Sequence, residues 1–254
     1  MGNITVIIHS YSNTDILDCV QSALLLTKNV IIIGEEKKND TKTKLDTLGV
    51  KIISFPNSGI VEPARNFGIQ QAHTAWIFLL DADERITPEL AKEIKETIKD
   101  KASEFYQVPR KEILFHSYWL RYGGWYPNYQ TRLIQRSEFI QWPSKIHATP
   151  KIKGKKGMLH NPIIHYSQND ISELVNRTII FENNEANLLF EANHSASTGV
   201  FFRKFFGELY RRLIKWQGLK DGTIGIIESI YQAFSKTITY LFLYEKQSKK
   251  NRSL

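Results

Sequence analysis

The sequence predicts an α/β fold, with a mostly parallel sheet flanked by helices and a set of C-terminal amphipathic helices after it. Three observations predict this. Four short apolar runs alternate with amphipathic stretches in the first hundred residues, the texture of βαβ units whose sheet is covered on both faces. Aromatics, prolines and glycines then crowd together from about 104 to 167, among short β-like runs. Beyond 170 the apolar spacing turns helical.

The apolar runs ITVII (4–8), VIII (30–33), VKIISF (50–55) and WIFLL (76–80) read as buried strands. Asn13-Thr14 can cap a helix through Ile16, Val20 and Leu24. A second helix follows Asp40 with Leu45 and Leu48 inward, and a third spans Ala64 to Ala72 and ends at His73-Thr74. A fourth starts with Thr87 as cap and Pro88 in the first helical position, and runs to about Lys99. FYQVPR, TRLIQR and GMLHNPIIHYS are expected to add antiparallel strands, with a mobile binding loop near Gly123-Gly124. Residues 170–192, 199–216 and 223–245 read as helices, the last two joined by GLKDG, and KQSKKNR as a charged tail. The expected domains are 1–192 and a C-terminal helical segment, 193–254.

With 254 residues, 42% hydrophobic and 12% aromatic, the chain can bury a sizeable core, and intrinsic disorder is excluded. The net charge of +8 points to an anionic partner: nucleic acid, a membrane surface or a phosphorylated ligand. The single Cys19 excludes an internal disulfide and reads as a small buried helix residue. The apolar run Ile4 to Ile8 is too short for a signal peptide, and no window offers about 18 uninterrupted apolar residues. A cytoplasmic location without a transmembrane helix is therefore expected.

The stretch WIFLLDADERITPEL ends a buried strand in Asp81 and Asp83, followed by Glu84, none of which favours burial. In parallel sheets, ligands bind beyond the carboxyl ends of the strands. Two carboxylates there can hold a hard divalent cation that bridges to a diphosphate and offsets the charge on a leaving group. The same pair also suits a turn and cap before the next helix. A calcium loop lacks its further ligands and its glycine, and a phosphatase nucleophile would follow the first strand, where this chain has His9.

EPARNFGIQQAHTAWIFLLDADERITPEL resembles the core signature of family-2 glycosyltransferases of the GT-A fold, in which an A-R-N-x-G helix precedes a strand ending in D-A-D. The resemblance continues through YQVPRKE, LRYGGWYPNYQTRLIQR, IIHYS and GLKDG, and covers nearly the whole chain. It is to the subgroup that glycosylates lipopolysaccharide core and related envelope glycans. It implies a nucleotide-sugar donor and a divalent cation, Mg or Mn. Asp81 would face the donor's ribose or the metal, Asp83 would be the main metal ligand, and His165 would complete the site. Without the resemblance, His165 reads as the end of a half-buried strand. Arg65 would lie near the diphosphate, where a guanidinium fork suits phosphate oxygens. Gly124 and Trp125 fit a flap over donor and acceptor, or an ordinary hairpin turn with a buried Trp. Arg132 and Arg136 can meet a phosphate or be solvated strand residues.

Three departures from the family pattern stand out. Gly34 occupies the position of the nucleobase-reading Asp, with Glu35 or Glu36 as substitutes. His9-Ser10-Tyr11-Ser12 replaces a polar N-E pair at the first strand's end, so His9 joins Glu35 among the expected donor contacts. In PSKIHATP, Ala148 stands where the general base of an inverting transferase belongs, leaving His147, Glu138 or Asp170. His147 is preferred because its ordinary pKa lies near neutrality.

In VFFRKFFGELYRRLIKWQG (200–218), Phe202, Phe205, Phe206, Leu209, Leu213 and Trp216 gather on one side of a helix, and basic residues surround the other. That pattern suits a helix lying in the interface of an anionic membrane, and equally a helix packed on the catalytic domain with solvated cations. The leading expectation is a metal-dependent, inverting glycosyltransferase acting on an envelope glycan or lipid-linked saccharide at the inner face of the cytoplasmic membrane. A non-catalytic relative that has kept the fold is the alternative. Nucleic-acid binding ranks last, because no recognition motif supports it.

Overall fold

The computed structural model describes residues 3–11, 16–35, 39–57, 61–100, 102–115, 117–143, 148–168 and 171–252. The chain divides into two compact units, Met1–Lys111 with Asn128–His165, and Glu112–Pro127 with Tyr166–Leu254. The segment expected from 193 onward lies within the second.

The first unit is built on β1 (Ile4–Ser10), β2 (Val30–Gly34), β3 (Lys51–Ser54) and β4 (Trp76–Asp81). These pair in parallel in the order β3-β2-β1-β4. Every residue of β1 and β2 is buried, as continuous apolar runs require when helices cover both faces. Strand alternation sorts the side chains. Ile4, Val6, Ile8, Trp76, Phe78 and Leu80 enter one core with α1 (Ile16–Leu24) and α4 (Pro88–Asp100). Ile7, Ile77 and Leu79 enter the other, with Ala64 and Ile69 of α3 (Glu62–Gln71). Cys19 is buried, as expected. In α2 (Asn39–Thr47) Leu45 is buried, while Leu48 lies past the helix end and is half-buried. Thr87 caps α4, its Oγ1 accepting from the Leu90 amide at 3.1 Å.

Beyond β4 the sheet turns antiparallel. It adds β8 (Asn128–Gln135) and then β6 (Phe105–Leu114), β12 (Ile163–Gln168) and the two-residue β5 (Glu84–Arg85). The sheet is thus mixed, with its four N-terminal strands paired in parallel. GMLHNPIIHYS, expected to add antiparallel strands, is antiparallel only in its second part. It splits into β11 (Lys156–Met158), parallel to β6, and β12, because the Glu93 carboxylate accepts from the His160 and Asn161 amides and Pro162 has no N–H to give. A separate ribbon pairs β9 (Phe139–Gln141) with β10 (Lys151–Ile152).

The second unit holds β7 (Tyr118–Leu120), paired with Glu112–Leu114, and the helices α5 (Ile171–Glu191), α6 (Thr198–Tyr210) and α7 (Gly222–Arg252). Its small core joins Ala186, Tyr240 and Leu243 with Phe201 and Phe242. Two expectations are corrected here. The 199–216 helix is not uniform, since α6 widens into π-helical turns over Arg211–Lys215. KQSKKNR is not a tail, since α7 continues through it. Among the described residues no helix is long and apolar enough to cross a membrane.

Candidate functional site at the carboxyl end of β4

Parallel pairing brings the carboxyl ends of β1, β2 and β4 together, with His9 opposite Asp81 and Ser10 opposite Gly34. By alternation His9 and Asp81 share the α3 face with Ile7 and Leu79. Arg132 of β8 shares it too, two residues before Ile134.

Each residue of the A-R-N-F-G stretch except Phe67 has a defined task on that face. Ala64 is buried against the sheet. Arg65 reaches Asp81, Nη2 to Oδ2 at 3.3 Å, and its guanidinium stacks 4.6 Å from the Trp142 ring centre. Asn66 holds Trp142 in place by donating to its carbonyl and accepting from its amide, both at 2.7 Å. Gly68 lets the helix lie on β1, since a Cβ there would sit 2.8 Å from Ile7 Cγ2. Asn66 and Trp142 escaped the sequence reading, although the N of A-R-N was visible.

The carboxylates are not equivalent. Asp81 is ion-paired with Arg132 at 2.7 Å as well as Arg65. Burial alone would raise its pKa, but the two guanidinium groups hold it well below the usual carboxylate range. Glu84, expected to avoid burial, is 0% exposed. It accepts from Arg132 at 2.5 Å and from the Asp81 amide at 3.0 Å, and Arg110 lies 3.8 Å away. Burial pushes its pKa up. Arg132 itself is 2% exposed and turned toward these two carboxylates, not toward open space where a phosphate would sit.

Asp83 stands apart from this network. Because β5 pairs with β12, placing Glu84 opposite His165, the imidazole Nε2 lies 3.4 Å from Asp83 Oδ2. Burial opposes its ionisation, yet His165 keeps its pKa below the ordinary value. Its other oxygen, Oδ1, is buried and has no hydrogen-bond partner. A buried carboxylate oxygen without a donor, beside an imidazole, suits a cation that takes its remaining ligands from water or a diphosphate. Among the described residues no three His, Cys, Asp or Glu side chains are grouped to hold a metal ion.

His9 is 4% exposed, beneath α3 and 4.0 Å from Asp81. Burial lowers its pKa from 6.5 to about 3, against the opposing pull of Asp81. The unfolded chain therefore takes up a proton below about pH 6.5 that the folded chain refuses until about pH 3. His9 thus stabilises the fold fully above that window and progressively less within it, by at most about 1.4 kcal/mol per pH unit. The urea midpoint is expected to fall between pH 7 and pH 5, and less steeply in His9→Gln.

Gly34 explains its own presence. A Cβ at that position would lie 1.9 Å from the Ser10 carbonyl oxygen, so no Asp fits there, and the neighbouring Glu35 is exposed. Arg136, expected to meet a phosphate or to be a solvated strand residue, and Glu138, an alternative for the general base, lie away from Asp81. β8 runs antiparallel to β4, with Gln135 opposite Trp76, so both lie at the start of β4, about 17 Å from Asp81 at the usual strand rise. Arg136 donates there to the Thr74 carbonyl. His147, Glu36 and Asp170 lie outside the described residues. Ala148 packs against the α3-side core, its carbonyl accepting from Trp142 Nε1 at 2.7 Å.

Gly124 and Trp125 belong to the second unit. The loop expected to be mobile is tied to its own helices: Asp221 accepts from the Arg121 and Tyr122 amides, and Gly123 donates to the Trp216 carbonyl at 2.8 Å. Arg212, one of the basic residues expected around the side of the 200–218 helix opposite the apolar one, donates to the Gly123 carbonyl at 3.0 Å and lies 5.2 Å from the Trp125 ring centre. Gly124 has φ +83°, and a Cβ would meet Trp216 at 2.4 Å. Gly124→Ala is expected to displace Trp216 and to destabilise the protein by about 1–3 kcal/mol, read as a lower denaturation midpoint.

The sequence profile described as glycosyl transferase family 2 matches residues 5–149. An uncharacterized glycosyltransferase of Rickettsia conorii is 23% identical over 262 residues, covering 96% of this chain and 90% of that protein. One of Rickettsia prowazekii is 25% identical over 256 residues, covering 91% and 83%. Among solved structures, the mannosyltransferase PcManGT of Pyrobaculum calidifontis, in complex with GDP-Man and Mn2+, superposes with a TM-score of 0.52 at 10% identity, over 96% of this chain and 86% of that one. TarS 1–349 of S. aureus, in complex with UDP-GlcNAc, gives 0.50 at 13% identity, over 98% and 92%. The expected GT-A class of fold is thus found.

Proposed function

The chain belongs to glycosyl transferase family 2, and from that premise we propose that it moves a sugar from a nucleoside-diphosphate sugar to a cell-envelope glycan or lipid-linked saccharide, of the lipopolysaccharide-core kind, with inversion at the anomeric carbon. The observation that carries the donor site is the Asp83–His165 pair at the end of β4, with its unpartnered buried oxygen.

Asp83 and His165 would hold a divalent cation, Mg or Mn, which when bound offsets the charge on the departing diphosphate. Arg132 and Glu84 hold Asp81 in place, so that Asp81 orients Arg65 by their 3.3 Å contact. Arg65, braced from behind by Trp142, presents the rest of its fork to the diphosphate. The ends of β1 and β2, where Ser10 lies opposite Gly34 and Glu35 follows, would meet the nucleoside. The acceptor hydroxyl attacks the anomeric carbon from the face opposite the diphosphate, and His147 takes its proton. The basic, apolar-striped α6 would keep the protein at the inner face of the cytoplasmic membrane, near a lipid-linked acceptor.

The test is thermal stabilisation by a panel of nucleoside-diphosphate sugars, with and without Mn2+. One donor is expected to raise the melting temperature in a metal-dependent way, and EDTA to remove the shift. No shift with any donor would overturn the donor-site assignment. A second reading, a relative that binds but does not transfer, draws on Gly34 and Ala148. It predicts the same shift with no donor turnover when acceptor is supplied.

A further inference from the structure

We infer that the cleft between α5, α6 and α7 binds the phosphate of an anionic phospholipid headgroup, an inference resting on the membrane-surface reading above. The cleft has a volume of about 480 Å³. Arg203, Lys204, Arg211 and Lys236 line it, against Glu185 and Glu208. Two of these cations already have carboxylate partners: Arg211 is bound to Glu208, and Lys236 lies 3.7 Å from Glu182. Arg203 and Lys204 make no ion pair with any described residue. Lys204 Nζ sits 5.2 Å over the Tyr240 ring. The cleft therefore has four cations against two lining carboxylates, an excess of positive charge that complements a phosphate.

What singles out a lipid as the source of that phosphate is the adjoining face of α6. Phe202, Phe206, Tyr210 and Ile214 recur every four residues and are 53 to 61% exposed. This stripe lies about 100° around the helix from Arg203, Gly207 and Arg211, which form the cleft side. A helix lying in the bilayer interface with its apolar stripe down places such flanking cations at the level of the headgroups. A soluble phosphate would leave the four apolar side chains in water.

Gly207 supplies a clean test. It lines the cleft, and a Cβ there meets nothing within 4 Å, so a side chain can leave the helix at this position without a clash at its first atom. Glu also favours a helix interior more than Gly does. Gly207→Glu puts a carboxylate where the headgroup phosphate would lie. Co-sedimentation of the full chain with phosphatidylcholine vesicles, with and without phosphatidylglycerol, is the measurement.

The parent is expected to bind the phosphatidylglycerol vesicles only. Gly207→Glu should weaken that binding by about tenfold at an unchanged or higher melting temperature. Arg203→Gln with Lys204→Gln should match it, and Phe202→Ser with Phe206→Ser should abolish binding. If Gly207→Glu binds anionic vesicles as tightly as the parent while the double Ser variant does not, membrane contact stands and the headgroup site is overturned. If the parent binds no vesicles, both fail. If, in that case, inorganic phosphate stabilises the parent but not Gly207→Glu, the cleft takes a free anion and the lipid assignment is overturned.

Discussion

Asp83→Ala is expected to reduce sugar transfer by about 10³-fold or more, the scale on which removal of a single preorganised electrostatic group acts, and to leave the melting temperature of the unliganded protein nearly unchanged. The two halves of this expectation have one physical origin. Asp83 makes no ion pair within the Asp81–Arg132–Glu84 network, and among the described residues its ion-pair partner is His165, at 3.4 Å. Its Oδ1 is buried without a hydrogen-bond partner, so the fold loses only the contact of Oδ2 with His165, on a side chain that is 36% exposed and whose ion pair therefore contributes little. A residue poorly satisfied by its own fold is one whose charge is kept for something else. The measurement is a pair: initial transfer rates with the donor found by thermal shift, and melting curves with and without Mn2+. A variant that keeps both its metal-dependent shift and its rate would remove Asp83 from the site.

Arg132→Met should do the reverse, lowering stability by about 3–5 kcal/mol, or roughly 10 °C for a protein of this size. Its guanidinium lies within 2.7 Å of both Asp81 and Glu84; Arg132 and Glu84 are buried, and the Asp81 side chain is 26% exposed. Removing it leaves two negative charges with Arg65 and Arg110 as more distant partners, at 3.3 and 3.8 Å. The pH dependence provides the check. Without Arg132 the folded-state pKa of Glu84, already raised by burial, rises further above its unfolded value. A carboxyl shifted upward binds its proton more readily in the folded state, so the deficit at pH 7 should shrink as pH falls toward 5. Equilibrium urea unfolding at the two pH values measures it. A deficit that is small, or the same at both, would mean that the pair contributes little.

The fold was largely legible because its signals are local. A run such as VIII can be satisfied only by burial on two faces, and Thr87-Pro88-Glu89 starts a helix wherever it falls. The errors arose where a distant group intervened. Glu93 on α4 captures the amides at 160 and 161 and parts β11, which pairs in parallel, from β12, and Asp221 and Arg212 tie down a loop about a hundred residues earlier in the chain. The Asp pair was visible as a pair, but its division of labour was not. That depends on which carboxylate faces Arg132 and which faces His165, residues 51 and 82 positions away from them.

By itself, then, the sequence determined the order of strands and helices, the placement of two carboxylates at a sheet mouth and the family to which the chain belongs, because periodicity, capping and motif spacing act over a few residues. Only the tertiary structure decided that Glu84 is buried, that Arg132 turns inward, that Gly34 has no room for a side chain, and that Asp83 is left with an unpaired oxygen beside His165. Each of these follows from strand register, and register is fixed by contacts among residues far apart in the chain.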